Sequence, residues 1–166
     1  MRQIGKQILT LTKSYAILCM AIVCLGVSPA TGQEKSYVTN ALTGVAISGY
    51  DPVAYFTEGM AREGSPLFEH EWDGTVWYFS SAANRDAFAS APEIYAPLFG
   101  GHCAMSMARG HLSDGNPQIF RIVAERLVLF YSIGNRAAFD LTAQTAMIDA
   151  IENWDALPEW RAAAAR

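Results

Sequence analysis

One short segment of the chain concentrates the side chains that could bind a metal ion or react as a nucleophile. Residues 102–111 read HCAMSMARGH and supply two imidazoles, one thiol and two thioethers. Cysteine and methionine select Cu(I) over harder cations. The segment therefore predicts a soft-metal site with copper as its ion. The predicted ligands are Cys103, His102, Met105, Met107 and His111.

Other interpretations of the same segment stay open. A buried cysteine packs as a small hydrophobic residue and methionine fills gaps in a core, so the segment could be purely structural. Cys103 could instead be a redox thiol, although a disulfide would need a second molecule because residues 33–166 hold no other cysteine. A Cys-His nucleophile oriented by Asp114 is disfavoured, because neighbours in sequence seldom supply that geometry. The paired glycines before His102 are expected to expose the thiol at the start of a helix.

The N-terminal residues predict export. Arg2, Lys6 and Lys13 precede an apolar run over residues 15–27, and small residues follow at 28–32. This is the pattern of a secretory signal peptide, expected over residues 1–32. The apolar run is shorter than the roughly 20 residues that span a bilayer. We expect a periplasmic or secreted protein without a stable membrane anchor.

Composition and charge narrow the classes of partner. The chain has 166 residues, of which 51% are hydrophobic and 17% charged, as in ordinary globular proteins. Its formal net charge is -4, so no overall basic field attracts nucleic acid. We expect a binding module rather than an enzyme. Its expected partners are a metal ion and an unidentified extracytoplasmic protein.

A β-hairpin is predicted around Asp73-Gly74, a dipeptide that fits a two-residue turn between alternating runs of aromatic residues. The cross-strand pairs expected in this register are Trp72 with Thr75, His70 with Trp77 and Phe68 with Phe79. One face of the hairpin is then largely aromatic. An exposed aromatic face would favour a third interpretation, a domain that binds another protein.

The remaining patterns predict helices and a second hairpin. Residues 45–47 indicate an edge strand, residues 82–90 and 92–95 indicate helices, and residues 119–131 indicate a hairpin with a three-residue loop at 124–126. Apolar residues at helical spacing predict one long amphipathic helix from Asn135, as the N-cap, to Trp154. No internal repeat is evident.

These elements predict the fold class and the division of the chain. We expect an α+β fold, a small compact domain with two β-hairpins, short helices after the first hairpin and a long C-terminal amphipathic helix. The expected domain covers residues 45–157. Residues 33–44 are expected to form an N-terminal extension and residues 158–166 a flexible tail.

Four motifs in order resemble the exported YHS domain proteins. They read GYDPVAYF from Gly49, WYFSSAANRDAF from Trp77, APEIYAP from Ala91 and GGHCA from Gly100. The resemblance covers about residues 45–154 and implies a small α+β domain related to metal-associated, TRASH-like modules.

The resemblance also bears on the site. In metal-binding relatives, cysteines stand at the positions that hold Ala54, Ser80 and Asn84 here, so that cysteine site cannot form in this chain. The exported branch typically carries Gly-Gly-Tyr-Cys-Ala, sometimes with selenocysteine at the cysteine position. The resemblance therefore implies that Cys103 occupies the functional position, with His102 replacing an aromatic residue.

Overall fold

The computed structural model describes residues 37–157. The predicted signal peptide over residues 1–32 and the predicted tail over residues 158–166 lie outside them. The described residues form an α+β fold with two antiparallel β-hairpins, which confirms the predicted fold class. Between residues 37 and 157, no helix is both long enough and apolar enough to cross a membrane.

The helices and strands, in chain order, are α1 (Ala54–Thr57), β1 (Ser65–Trp72), β2 (Thr75–Phe79), α2 (Ala82–Ser90), α3 (Pro92–Tyr95), α4 (Ala104–Ala108), β3 (Asn116–Val123), β4 (Arg126–Phe130), α5 (Ile133–Leu141) and α6 (Ala143–Asp155). Two short 3-10 helices, Ile47–Gly49 and Leu98–Gly101, precede α1 and α4 respectively. The predicted edge strand over residues 45–47 is absent. In its place are single bridges, one of them parallel from Val45 to Val76.

The first hairpin, β1 with β2, turns at the predicted dipeptide. Both turn residues have positive φ, 48° at Asp73 and 66° at Gly74. The pairs Trp72 with Thr75 and His70 with Trp77 are confirmed. The third predicted pair is wrong, because the register shifts between Ser65 and Glu69 so that Ser65, not Phe68, pairs with Phe79. An irregularity of this kind changes which residues oppose each other across the ladder.

The aromatic face of this hairpin forms a core rather than an exposed surface. Trp77 and Phe79 are fully buried. Phe88 of α2 packs on this face, with its ring centroid 5.1 Å from those of both Trp77 and Phe79. Tyr37 closes the other side of Trp77 at 5.0 Å. The aromatic residues therefore stabilise the first half of the fold, and they do not form the exposed surface on which a protein-binding role would depend.

The second hairpin, β3 with β4, has a two-residue turn. Arg126 pairs with Val123, so the predicted three-residue loop is wrong. Ala124 and Glu125 occupy the turn with φ of 47° and 61°. Neither residue type favours positive φ, and the sequence therefore carries no signal for this tight turn.

The predicted single C-terminal helix is two helices. Thr142 has φ of -134° and ψ of 29°, which ends α5 and starts α6 in a new direction. α5 begins after Ser132, whose hydroxyl accepts a hydrogen bond from the Asn135 amide at 3.1 Å. Ser132, rather than Asn135, is the N-cap. The break allows α6 to pack on α4, where Asn153 Nδ2 donates to the carbonyl of Met107 at 2.9 Å.

The two halves of the described chain repeat one structural unit. In both hairpins a single pair at the open end is followed by a register shift and then by continuous pairing to the turn. The end pairs are Ser65 with Phe79 and Asn116 with Phe130. Each paired position of the second hairpin lies 51 residues after its counterpart in the first.

Sequence identity accompanies the repeated structure. Residues 79–88 and 130–139 are identical at six of ten positions. In the first half these are Phe79, Ser81, Asn84, Arg85, Ala87 and Phe88. The expectation that the chain has no internal repeat is therefore wrong. The identical stretch covers only ten residues, and the strands of the two hairpins share a pairing pattern rather than a sequence. The repeat therefore becomes evident when the registers of the two hairpins are compared.

Each repeat also begins with the same unusual backbone. Residues 47–49 have φ of 40°, 56° and 82°, and residues 99–101 have φ of 56°, 59° and 84°. Consecutive left-handed residues cost conformational energy in all residues but glycine. The strained turn is followed by Asp51 in the first repeat and by Cys103 in the second.

Candidate functional site

Cys103 lies at the N-cap position of α4, directly after the second left-handed turn. Its backbone amide donates to the carbonyl of Ser113 at 2.8 Å, and it forms a parallel bridge with Leu129 of β4. The predicted helix start is confirmed, but the predicted exposure is wrong because Cys103 is 0% exposed. The residue packs in the core cluster of the second half, which also contains Phe130 and Met107.

Several hydrogen-bond donors converge on the sulfur atom. Asn135 Nδ2 lies 3.4 Å from Cys103 Sγ. The hydroxyl and the amide of Ser106 and the amide of Tyr131 are the other groups that lower the pKa of this thiol. Burial alone raises the pKa of the thiol, but these hydrogen bonds outweigh it, so the pKa of Cys103 lies below its ordinary value of 9.0. We call Ser106, Tyr131 and Asn135 the Cys103 donor set.

Ser106 is oriented by its own partners. Ser113 Oγ donates to Ser106 Oγ at 2.7 Å, and Asn135 Nδ2 approaches the same oxygen at 3.4 Å. An oxygen that accepts from two neighbours directs its own hydrogen elsewhere, and the Ser106 hydroxyl is one of the groups that lower the pKa of Cys103. The sequence interpretation missed Ser106 and Ser113, and it assigned Asn135 to helix capping.

The two predicted methionine ligands lie on the cysteine side of the molecule. Met107 is fully buried in the same core cluster as Cys103. Met105 is half-buried and packs against that cluster. The structure thus brings one thiol and two thioethers into one region of the second half.

The two predicted histidine ligands have other surroundings. His102 Nδ1 lies 3.5 Å from Asp114 Oδ1, and its ring centroid is 6.2 Å from that of Trp154. His111 is exposed, and its backbone amide donates to the carbonyl of Ser106 at 3.1 Å. Over residues 37–157 there is no group of three or more His, Cys, Asp or Glu side chains placed to hold a metal ion.

His70, the third histidine of residues 33–166, packs in the first half of the molecule. Its ring centroid is 6.3 Å from that of Phe88. Phe88 belongs to a core cluster distinct from the one that contains Cys103. His70 therefore packs against the first core.

Asp51 occupies the position in the first repeat that Cys103 occupies in the second. Its Oδ1 accepts from the amides of Val53 at 2.9 Å and Ala54 at 3.3 Å. Its Oδ2 accepts from the amide of Ser80 at 2.8 Å, from Ser80 Oγ at 2.7 Å and from Asn84 Nδ2 at 2.7 Å. The carboxylate is 0% exposed. We call Val53, Ala54, Ser80 and Asn84 the Asp51 donor set.

The two donor sets correspond at two positions. Asn84 and Asn135 are 51 residues apart at equivalent positions of α2 and α5. The amides of Ser80 and Tyr131 correspond in the same way. The hydroxyl group differs, since Ser80 Oγ donates to Asp51 whereas Ser106 supplies the hydroxyl that lowers the pKa of Cys103. Ser80 and Asn84, two of the positions at which the resemblance places cysteines in the metal-binding relatives, thus belong to the Asp51 donor set.

The motifs, the fold and the site can be set beside known proteins. The resemblance to the exported YHS domain proteins, which is based on four motifs, stays a prediction. Comparison of the chain with protein-family models, with curated proteins and with solved structures finds no match.

Proposed function

We propose that this protein is a thiol-based redox protein whose reactive group is the thiolate of Cys103. The observation that carries the proposal is the hydrogen bond that Asn135 Nδ2 donates to the buried sulfur atom at 3.4 Å, which together with Ser106 and Tyr131 lowers the pKa of the thiol. Buried structural thiols without such donors have a raised pKa and are inert, whereas the thiolate is the nucleophilic form. Donors that favour the thiolate therefore favour reactivity despite burial.

A hydroperoxide is the oxidant that suits this site. With hydrogen peroxide, the thiolate attacks one oxygen, so an S–O bond forms while the O–O bond breaks. Hydroxide leaves, and Cys103 becomes a sulfenic acid. A small oxidant is favoured over a protein disulfide because Sγ is fully buried. Asn135, which contacts Sγ, is half-buried and Tyr131 is exposed, so the sulfur lies directly beneath surface residues.

Return to the thiol requires an external partner. No second cysteine is present in residues 33–166, so no resolving thiol is available there. A small thiol must attack the sulfenic acid, and water leaves as the mixed disulfide forms. A second small thiol then attacks the mixed disulfide and releases Cys103 as the thiolate. Export, which residues 1–32 predict, would place this chemistry in an oxidising compartment.

The test is trapping of the sulfenic acid with dimedone after addition of one equivalent of hydrogen peroxide. Peptide mapping by mass spectrometry assigns the adduct to Cys103 rather than to Cys19 or Cys24. We expect trapping in the wild type and about a tenfold slower reaction in Asn135→Ala, since a hydrogen bond to a charged group contributes about 1.5–3 kcal/mol. Asn84→Ala is the matched control, because it removes the equivalent amide from the first repeat. An untrapped Cys103, or equal slowing in both variants, would refute the proposal.

Soft-metal binding is the second candidate, and the presence of Met107 in the Cys103 cluster favours it. Thiolate and thioether are the ligands that Cu(I) prefers, and Met105 packs on the same cluster. Cys103 and Met107 would hold the ion, with Met105 as a third ligand. Competition against a chromophoric Cu(I) chelator under reducing conditions tests this candidate. Stoichiometric binding lost in Cys103→Ala and in Met105→Ala/Met107→Ala would support it, and no competition by the wild type would exclude it.

A further inference from the structure

The loop that joins α1 to β1 presents a methionine to solvent. Met60 is 50% exposed. The other methionines of residues 37–157 are buried or half-buried, and they are Met105, Met107 and Met147. Oxidation of sulfur side chains follows their exposure. Within the part of the chain that the structure describes, Met60 is therefore the methionine that a dissolved oxidant reaches first.

A positioned arginine lies beside the sulfur atom of Met60. Arg62 Nη2 donates to Met60 Sδ at 3.9 Å. The guanidinium is held in turn by Glu58, whose Oε2 accepts from Arg62 Nε at 2.6 Å and also contacts Nη2. A guanidinium is planar, so two contacts to one carboxylate oxygen fix its orientation. The donor to the sulfur thus has a defined direction.

The backbone of this loop segment is also fixed. The carbonyl of Arg62 accepts from the amide of Asp51 at 2.8 Å, and Glu63 forms an antiparallel bridge with Tyr50. Asp51 is fully buried. Arg62 is therefore anchored to the interior of the first repeat, although its side chain lies at the surface.

Met60 lines a groove at the junction of the two repeats. The groove has a volume of about 420 Å³, and its lining includes Arg62, Tyr50 and Gln118. Gln118 Nε2, from β3, donates to Tyr50 Oη at 2.8 Å and so connects the second repeat to the first. A hydroperoxide is much smaller than this groove, which gives it a path to the sulfur.

We infer that Met60 is a redox modification site, which a hydroperoxide converts to one epimer of methionine sulfoxide because Arg62 covers one side of the sulfur. A thioether sulfur has two lone pairs, and oxygen added to one or to the other gives opposite epimers. The hydrogen bond from Arg62 engages one lone pair, so the other attacks the oxidant. The inference uses no property of Cys103 and is independent of the proposed function.

The oxidation step balances with one molecule of hydrogen peroxide. The sulfur of Met60 attacks one oxygen, an S–O bond forms and the O–O bond breaks. The proton of the attacked oxygen moves to the departing oxygen, and water leaves. The product is a polar, chiral side chain that sulfoxide reductases return to methionine, so the modification is reversible.

The test begins with oxidation of the full chain by limiting hydrogen peroxide, followed by proteolysis and peptide mass spectrometry. We expect Met60 to gain one oxygen before Met105 and Met147 do. The Met60 peptide is then divided between the two sulfoxide reductases, each of which reduces one epimer. We expect at least about a twofold excess of one epimer, the lower end of what one intramolecular hydrogen bond contributes. Slower oxidation of Met60 than of Met105 or Met147, or equal epimers, would overturn the inference.

Three comparisons assign the selectivity to Arg62. Arg62→Ala should give nearly equal epimers, and Glu58→Gln should lower the excess because it loosens the guanidinium. Arg85→Ala is the matched control, since it removes an exposed arginine that contacts Asp86 at 2.8 Å in α2, and it should keep the wild-type excess. Wild type oxidised in urea, where these contacts are lost, should also give nearly equal epimers. An unchanged excess in Arg62→Ala or Glu58→Gln, or an equal loss in Arg85→Ala, would contradict the inference.

Discussion

Replacement of Asp51 by asparagine is the sharpest test of how these donor sets stabilise the fold. The substitution turns one acceptor oxygen into an NH₂ group. If the NH₂ takes the place of Oδ2, it faces three donors from Ser80 and Asn84. If it takes the place of Oδ1, it faces the amides of Val53 and Ala54. At least two hydrogen bonds are lost in either orientation.

The expected magnitude follows from these counts. Each buried donor left without an acceptor costs about 1–3 kcal/mol, so Asp51→Asn should lose about 2–6 kcal/mol of unfolding free energy. That is a large part of the roughly 5–15 kcal/mol typical of a domain. Urea unfolding followed by tryptophan fluorescence measures the loss. Asp86→Asn, at a side chain that is 67% exposed in α2, is the control for the same chemical change. A loss below about 1 kcal/mol for Asp51→Asn would refute the account of this site.

Three further predictions concern stability. The pKa of Cys103 is lower in the folded chain than its ordinary value of 9.0, so the thiolate stabilises the folded state. The unfolding free energy of the wild type should therefore rise relative to that of Cys103→Ala as the pH approaches 9.0, and this gain should be lost as the pH falls through the lowered pKa. Urea titrations at several pH values measure the difference. Gly115→Ala should lower the unfolding free energy by about 1–3 kcal/mol in thermal unfolding, because the added Cβ would lie 2.5 Å from a backbone oxygen. Gly134→Ala should raise the unfolding free energy by about 0.5–1 kcal/mol, because its added Cβ would lie 3.7 Å from its nearest contact, Ser132 Oγ. Tyr55→Phe should lose about 0.5–1.5 kcal/mol by the same assay, because the hydroxyl donates to the carbonyl of Pro117 at 2.9 Å.

The sequence predicts an element well where one local signal dominates. Asp73-Gly74 specifies its turn because glycine adopts positive φ without strain. Ala124 and Glu125 form an equivalent turn without that signal, and their conformation is imposed by the pairing of β3 with β4. The register shift after Ser65 has no local signal either, since it depends on which residues the opposite strand presents.

The functional site likewise combines local contacts, which the sequence predicts, with contacts between distant segments, which it does not. The bonds from Asp51 to the amides of Val53 and Ala54 are local, and the Asp-Pro turn pattern predicts them. Asn135 reaches Cys103 across 32 residues of chain, and its placement before an apolar helix fits a capping function equally well. The structure distinguishes the two functions, because Ser132 caps the helix and Asn135 Nδ2 contacts Cys103.

The two repeats also pose a problem of self-recognition during folding. Hairpins with one shared register can exchange strands, and misassembly of similar units is a characteristic failure of repeated chains. The two cores differ at one equivalent position in a way that opposes this exchange. Trp77 of β2 is fully buried, and its counterpart in β4 is the much smaller Val128, which is also fully buried. A strand from one half would leave voids or overfill the other, and either outcome is destabilising. The difference between the packed residues thus allows the same backbone fold to occur twice in one chain, because each strand still pairs with the strand of its own hairpin.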